Sequence, residues 1–203
     1  MNGRPITRLT PAFFDRDPRR VARGLLGKLL IRKTPRGNLV GRIVETEAYL
    51  GSNDAAAHSA AGRTARNAVI WGPPGHAYVY FIYGNHYCLN VSCLPEGDAG
   101  CVLFRALEPV EGIEEMAVSR GVEARAEKDL LKLSSGPGRL CEAFGITRQR
   151  DNGKSLVSAK SDLQLGEDGY RVRRVSVTRR IGITKSADAP LRYTISGNPF
   201  VSG

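Results

Sequence analysis

The sequence lacks any apolar run close to the roughly 20 residues that a membrane-spanning helix requires. Its polar start, MNGRPITRL, also lacks the apolar centre of a secretory signal peptide. Only four cysteines are present, at positions 88, 93, 101 and 141, and their spacing matches no zinc pair, CxxC site or iron–sulphur run. We therefore expect a protein that does not enter a membrane, is not secreted, holds no metal or other cofactor, and carries its cysteines as buried free thiols.

Acidic residues are also scarce relative to basic ones. The chain has 20 Asp and Glu against 30 Lys and Arg, which gives a net charge of +10 at pH 7. This balance favours a polyanionic partner through counterion release, but it does not distinguish DNA, RNA and membrane surfaces. The 203 residues suffice for one core and are few for two, so we expect a single domain over residues 1–203.

Several helices are signalled by their first residues. Asp17 and Pro18 supply an N-cap and a first-turn proline for a helix over Arg19–Leu26, and Gly27 suits its end. Two more helices are predicted to begin at Pro109 and at Pro137, and the charged segment Val122–Lys132 is predicted to be a solvated helix face.

Strands are signalled by alternation and by β-branched and aromatic residues. We predict them over Leu29–Lys33, Leu39–Tyr49, Ala77–Tyr83, Tyr87–Ser92, Arg171–Val177 and Leu191–Ser196, with Asp151–Gly169 as an irregular connection. Hairpins interspersed with helices indicate an α+β fold, in which helices surround a curved, mainly antiparallel sheet and one β-hairpin protrudes.

One strand carries an unusual face. Val44–Leu50 reads VETEAYL, and alternation places Glu45, Glu47 and Tyr49 on the same side. The tyrosine-rich segment YVYFIYGNHYCLN follows over Tyr78–Asn90. Carboxylates beside aromatic rings suggest a pocket that binds a flat ring and performs acid/base chemistry on it. A solvated strand face beside an ordinary sheet is the alternative, and the strand period alone does not decide between the two.

Six blocks follow one another along the chain: GRIVETEAYLG, AAHS, YVYFIYGNHYCLN, VLFRALEP, SGPGRLC and RIGIT. In this order they resemble the alkyladenine DNA glycosylases, the 3-methyladenine DNA glycosylase family, over the range from about Leu9 to Ser202. The resemblance implies a base-excision-repair enzyme that flips damaged purines out of double-stranded DNA and hydrolyses the N-glycosidic bond, leaving an abasic site. The implied substrates are 3-methyladenine, 7-methylguanine, hypoxanthine and ethenoadenine. We further expect a monomer, located in the cytoplasm at the nucleoid in a bacterium or in the nucleus of a eukaryote.

The resemblance assigns the general base to Glu47, which would activate a water for attack on C1′ of the deoxyribose. Glu45 is the alternative, because it shares the strand face and only the motif ranks the two. No lysine accompanies the TEAY segment to form a Schiff base with the sugar, so we expect a monofunctional glycosylase that does not cut the strand.

The resemblance also assigns the base pocket and the wedge. Tyr49, His58 and Tyr80 match residues that sandwich and line the flipped base, and Asn90 matches one that checks the purine edge against the 2-amino group of guanine. Tyr83 matches the residue that enters the minor groove and fills the vacated stack. Without the motifs, His58 would be taken as a surface or satisfied core histidine and Tyr80 as core filling. Tyr83 would be taken as a hairpin-tip tyrosine packed on a neighbouring loop.

Phosphate contacts are implied for three residues. Arg105 matches a phosphate-clamping arginine, and the alternative for it is a surface ion pair with Glu108 or another acid. Gly136 and Arg139 should present a helix N-terminus and a guanidinium to phosphate, and this reading is compatible with a simple helix start.

The residue roles that the resemblance implies do not by themselves determine the strand pairing of the hairpin. A two-residue turn, Gly84-Asn85, would put Tyr80 opposite Leu89, whereas a three-residue loop over Gly84–His86 would put Tyr80 opposite Asn90. We favour the three-residue loop, because it brings the two implied pocket residues together. The contacts of Asn85 and His86 themselves remain open.

Two other functions fit parts of the sequence. A non-catalytic nucleic-acid-binding protein could use the basic surface and the exposed tyrosines for stacking. A metal-dependent nuclease could use Glu45 and Glu47, although hard cations usually recruit more carboxylates than this segment supplies. A zinc deaminase is excluded, because His58-Ser59-Ala60 lacks the glutamate of the HxE signature and no PCxxC follows.

Overall fold

A computed structural model describes residues 5–124 and 126–202. The side chain of Glu127 is outside this description. The expected domain 1–203 and the expected helix face Val122–Lys132 therefore each include positions that lie outside the described residues.

One antiparallel sheet organises the described chain. Its strands are β1 (Thr7–Arg8), β2 (Leu29–Thr34), β3 (Gly37–Tyr49), β4 (Ala77–Ile82), β5 (His86–Ser92), β6 (Cys101–Glu111), β7 (Leu163–Glu167), β8 (Val175–Thr178) and β9 (Arg192–Ile195). Their order is β1-β7-β2-β3-β6-β5-β4, while β9 pairs with both β3 and β8. Every pairing is antiparallel, which confirms the α+β prediction.

Over residues 5–124 and 126–202, six α-helices accompany the sheet: α1 (Pro11–Phe14), α2 (Pro18–Leu25), α3 (Ile113–Arg120), α4 (Glu127–Ser134), α5 (Pro137–Ala143) and α6 (Arg148–Asp151). Helix α2 begins as predicted, because the Asp17 carboxylate accepts a hydrogen bond from the Arg19 backbone N–H. It buries Val21, Ala22 and Leu25 in the main core. Within the described residues, no helix is both long enough and apolar enough to cross a membrane.

Strand β3 lies at the centre of the sheet and has two chemically different faces. Val44 and Ala48 enter the core, and the Thr46 hydroxyl donates a hydrogen bond to the Ala22 carbonyl of α2. Glu45 and Glu47 lie on the opposite face, as alternation predicts. The central strand therefore presents its carboxylates on the face opposite α2, where they meet Arg105, Arg192, Ile181 and Ser202.

Two compensating β-bulges shape the β3–β6 pair. Glu45 pairs with Ala106 and Thr46 pairs with Phe104, so Arg105 is an extra residue on β6 at this point. A second irregularity, between Ile43 and Glu45, restores the register. Bulges redirect side chains, and this one sets Arg105 against the carboxylate face of β3.

The structure corrects three of the predicted elements. No helix begins at Pro109, because β6 continues to Glu111 and α3 begins at Ile113; the proline occupies an irregular position in the ladder, where a missing N–H is tolerated. Residues 163–167 form strand β7 inside the segment predicted to be irregular. The predicted strand Arg171–Val177 is shorter than expected and begins only at Val175.

Candidate active site

A cavity of about 330 Å³ opens beside the β4–β5 hairpin. Its walls come from the end of β3, the start of α5 and the loop after β8, as well as from the hairpin itself. The aromatic and polar residues that line it include Tyr49, His58, Tyr78, Tyr80, Asn90 and Arg105. The structure thus brings together all four residues expected to form a base pocket.

One face of the hairpin supplies three of these six side chains. On this face, Tyr78 pairs with Asn90, Tyr80 with Cys88, and Ile82 with His86. All six residues of these three pairs line the cavity. The loop has three residues, as favoured, but it runs over residues 83–85, so the expected pairing of Tyr80 with Asn90 is wrong. The two still share a face, because a shift of two residues in a strand preserves side-chain direction.

Tyr83 lies at the tip of this hairpin. Its side chain is 78% exposed, and its backbone is left-handed, with φ 55°. The following Gly84 is also left-handed, with φ 73°. A tyrosine at positive φ is strained relative to glycine, and here the strain accompanies an aromatic ring presented to solvent above the cavity.

His58 faces the cavity from a short 3₁₀ helix, His58–Ala61. Its Nδ1 lies 2.8 Å from the Tyr78 hydroxyl, and its ring centroid lies 4.5 Å from that of Tyr80 in an edge-to-face arrangement. Desolvation, and then the positive charge of Arg66, lower the pKa of His58. The imidazole is therefore mainly neutral at pH 7, and its contact with Tyr78 fixes the orientation of the ring.

Glu47 is fully buried directly behind the cavity wall. One carboxylate oxygen accepts a hydrogen bond from the Ile181 backbone N–H at 2.8 Å, and the other accepts one from the Tyr49 hydroxyl at 3.0 Å. Arg105 Nη1 lies 3.2 Å from the first oxygen. Ile181, Tyr49 and Arg105 all line the cavity. Burial raises the pKa of Glu47 despite the opposing effect of Arg105.

Glu45 is equally buried but has more numerous cationic partners. Its carboxylate accepts from Arg105 Nε at 2.9 Å, from Arg192 Nε at 2.6 Å and from the Ser202 backbone N–H at 2.6 Å. The C-terminal segment is thereby fixed to the centre of the sheet. Glu45 is thus held by two guanidinium groups and the C-terminal segment, whereas Glu47 is held by residues that line the cavity.

Arg105 occupies a different position from the one expected for a phosphate clamp. It is only 7% exposed and pairs with Glu45 and Glu47, not with Glu108. Gly136 and Arg139 lie at the start of α5, beside the cavity-lining residues Pro137 and Gly138. Arg139 is exposed and donates a hydrogen bond to the Ser135 carbonyl at 3.3 Å.

Several residues of the site have no role that the sequence predicts. Ile181 acts through its backbone N–H, which no side-chain motif reveals, although RIGIT marked its segment. Tyr78 belongs to the recognised hairpin, and only the observed register shows that it faces His58. All four cysteines are free and buried, as predicted, and Cys88 and Cys101 line the cavity. Among the described residues, no group of three His, Cys, Asp or Glu side chains is arranged to hold a metal ion.

An aromatic cavity, a buried carboxylate held by residues that line it and an exposed tyrosine at the hairpin tip together form the candidate active site. Residues 12–199 match the family model described as Methylpurine-DNA glycosylase (MPG), and the chain belongs to this family. It is therefore a DNA glycosylase, a hydrolase of N-glycosyl bonds in DNA.

Curated relatives agree with this assignment. A protein of Koribacter versatilis (strain Ellin345) is 65% identical over 195 residues, which cover 96% of this chain and 93% of the relative. A protein of Methanocella arvoryzae is 46% identical, over 94% of this chain and 93% of the relative. A third, from Burkholderia lata, is 44% identical, over 96% of this chain and 91% of the relative. Each bears the name "Putative 3-methyladenine DNA glycosylase".

Proposed function

We propose that this glycosylase removes damaged purines from double-stranded DNA with a water activated by Glu47 and leaves the strand intact. The proposed substrates are 3-methyladenine, 7-methylguanine, hypoxanthine and ethenoadenine. One observation carries the proposal: the buried Glu47 carboxylate is held by two residues, Tyr49 and Ile181, that themselves line the base-sized aromatic cavity. A base in the cavity would therefore place its glycosidic bond beside the carboxylate.

Tyr83 is the proposed wedge. Extruding a nucleotide costs a few kcal/mol, while stacking on an aromatic side chain contributes roughly 1 to 3 kcal/mol per base. A tyrosine that is 78% exposed at a hairpin tip can enter the vacated space without first breaking its own packing. Its insertion would offset much of the cost of flipping.

Tyr49, His58 and Tyr80 are the proposed contacts to the flipped base. Asn90 is only 2% exposed, and its amide nitrogen uses one hydrogen on the Tyr78 carbonyl, at 3.2 Å. The second amide hydrogen is available to the purine edge. A donor at this position would oppose the 2-amino group of guanine, which is also a donor.

Glu47 performs the proposed chemistry. As a carboxylate it removes a proton from the attacking water, and its negative charge stabilises the oxocarbenium-like transition state at C1′. Arg105 is proposed here as a support for the carboxylate instead of a phosphate clamp, because it lies within reach of both glutamates. The positive charge of Arg105 opposes the rise in the pKa of Glu47 that burial causes.

Phosphate contacts are proposed for Gly136 and Arg139 at the start of α5. Both lie beside the cavity mouth, and the Arg139 guanidinium is exposed. We propose that the enzyme acts as a monomer, because each of the parts named above comes from one chain.

The test is incubation with a duplex carrying a single hypoxanthine or a single alkylated adenine, with free base and abasic sites measured separately. We expect free base, an abasic site and no strand scission, and the same result in the presence of a chelator. Strand scission that the chelator abolishes would instead support a metal-dependent nuclease.

A second measurement tests the monofunctional mechanism. Sodium borohydride should trap no covalent complex, because the proposed attack on C1′ is by water and not by an amine. A trapped adduct between protein and DNA would refute it.

A further inference from the structure

A buried arginine lies behind one wall of the base pocket. The Arg180 guanidinium carbon is 4.6 Å from the centroid of the Tyr49 ring. Tyr49 lines the cavity, whereas Arg180 is 5% exposed and does not line it. The aromatic ring therefore separates the guanidinium from the space that a flipped base would occupy.

The guanidinium is held firmly in this position. Its two terminal nitrogens donate to the Asp54 carboxylate at 2.6 and 2.8 Å, and one of them also donates to the Ala48 carbonyl at 3.0 Å. Its Nε is buried and has no hydrogen-bond partner within the described part of the chain. A bidentate pair fixes the plane of the group as well as its position, so Arg180 cannot readily withdraw from the ring.

A fixed cation behind the ring changes what the ring offers to a base. A free tyrosine face attracts a cation through its quadrupole. With Arg180 on the far face, a positively charged base stacked on the near face would meet a like charge across the ring, in an environment with little water to screen it. A neutral base would not meet this repulsion. Asp54 offsets part of it, because the carboxylate lies beyond the guanidinium.

We propose that Arg180, balanced by Asp54, is a specificity-determining residue of the base pocket. Its charge disfavours the binding of cationic N3- and N7-alkylated purines relative to neutral purines such as hypoxanthine and ethenoadenine. This inference rests on the proposed function, because it takes Tyr49 as a ring on which the flipped base stacks. Cationic purines leave more easily in the bond-breaking step. A binding penalty on them would therefore reduce the difference in excision rate between cationic and neutral purines.

The test measures binding apart from cleavage. Duplexes carry 7-methylguanine or hypoxanthine on a 2′-fluoro sugar, which resists glycosidic cleavage, and fluorescence anisotropy gives the affinity ratio for the cationic over the neutral lesion. Arg180→Gln should raise this ratio on the order of threefold, and Asp54→Asn should lower it by a similar factor, because it leaves the guanidinium unbalanced. The contribution of Asn90 to each ratio cancels in the comparison with the wild-type protein.

The opposite signs separate charge from structure. Both substitutions weaken the same ion pair, so a purely structural role for Arg180 predicts changes in the same direction, or equal losses for both lesions. Arg180→Lys keeps the positive charge, so it should preserve the wild-type ratio. This variant takes the place of Arg180→Gln in the test if Arg180→Gln does not fold. Ratios that stay unchanged, or that move together in Arg180→Gln and Asp54→Asn, would overturn the proposal.

A matched control exists outside the pocket. Arg42 lies 4.2 Å from the Tyr170 ring centroid and makes a bidentate pair with Asp168 at 3.1 and 2.8 Å. Arg42→Gln and Asp168→Asn should leave the ratio unchanged. The proposed function would fail separately, if the protein bound the lesions but released no base from cleavable duplexes. This inference would be overturned if the wild-type protein bound neither lesion more tightly than undamaged DNA.

Discussion

Changing each of the two buried glutamates of β3 to glutamine should have opposite effects on activity and stability. Glu47→Gln keeps the shape of the side chain and removes only its capacity to accept a proton. General-base catalysis contributes about 10²- to 10⁴-fold to a rate, which corresponds to about 3 to 5 kcal/mol in the activation barrier. We therefore expect base release to fall by that factor, while binding to a lesion duplex stays close to that of the wild-type protein.

Glu47→Gln should cost little stability. Two hydrogen bonds, from the Ile181 backbone N–H and the Tyr49 hydroxyl, lose their charged acceptor, at about 1 kcal/mol each. Arg105 loses its ion pair with Glu47 but is not left unpaired, because it keeps its ion pair with Glu45. The substitution also removes a buried negative charge, and the raised pKa of Glu47 shows that burial penalises that charge in the folded state. Because these contributions oppose each other, the melting temperature should change by only a few degrees.

Glu45→Gln should instead lower the stability strongly and the activity only modestly. Its carboxylate neutralises Arg105 and Arg192 together, at 2.9 and 2.6 Å. Breaking a buried ion pair by removing one partner costs about 3 to 5 kcal/mol. At about 2 to 4 °C per kcal/mol for a domain of this size, the melting temperature should fall by about 6 to 20 °C. Base release measured well below that temperature should fall by less than about tenfold, since the proton acceptor remains.

Single-turnover release of hypoxanthine and thermal unfolding, measured on both variants, decide the assignment. An active Glu47→Gln variant alongside an inactive but folded Glu45→Gln variant would refute it. Equal losses of activity in both variants would show that the two carboxylates and Arg105 act as one unit, and that Glu47 alone cannot be called the base.

Three further predictions follow from the same geometry. The rate of base release should fall on the acidic side with an apparent pKa above 4.5, because burial raises the pKa of Glu47 and its basic form is lost as the pH drops through that value; an acid limb at or below 4.5 would contradict this. Tyr83→Ala should weaken lesion binding and slow flipping but spare salt-sensitive binding to undamaged DNA, and equal losses on both duplexes would remove Tyr83 as the wedge. Asn90→Ala should raise release of guanine-derived bases relative to hypoxanthine, because the edge check is lost; an unchanged ratio would exclude Asn90 from selectivity.

The sequence predicts best those features that depend on local pattern. The β3 face follows from the two-residue period, and the start of α2 follows from an N-cap and a proline. Pro109 shows the limit of the same reasoning. A proline before acidic residues resembles a helix start, yet pairing with Gly41 of β3 keeps it in the sheet, and that partner is distant in the chain.

The sequence predicts which residues form the site better than it predicts the contacts between them. The motifs named Glu47, Tyr49 and His58, and the structure places Tyr49 and His58 in the cavity wall with Glu47 hydrogen-bonded to Tyr49. The ion pairs of Arg105 depend on a bulge in β6, and the hydrogen bond from Ile181 depends on a backbone N–H brought from 134 residues away. Neither leaves a signal in residue type, so only the folded chain reveals them.

The hairpin tip and the start of α5 form one supported surface. A Cβ at Gly138 would lie 2.9 Å from the His86 ring, so only glycine lets the helix approach the hairpin this closely. His86 Nδ1 in turn lies 3.0 Å from the Glu142 carboxylate, one helical turn further along. The strand that follows the Tyr83 loop, β5, therefore contacts at its first residue the helix whose first turn carries Arg139. A phosphate bound by Gly136 and Arg139, as proposed, would therefore lie on the helix that contacts the hairpin carrying the proposed wedge, Tyr83.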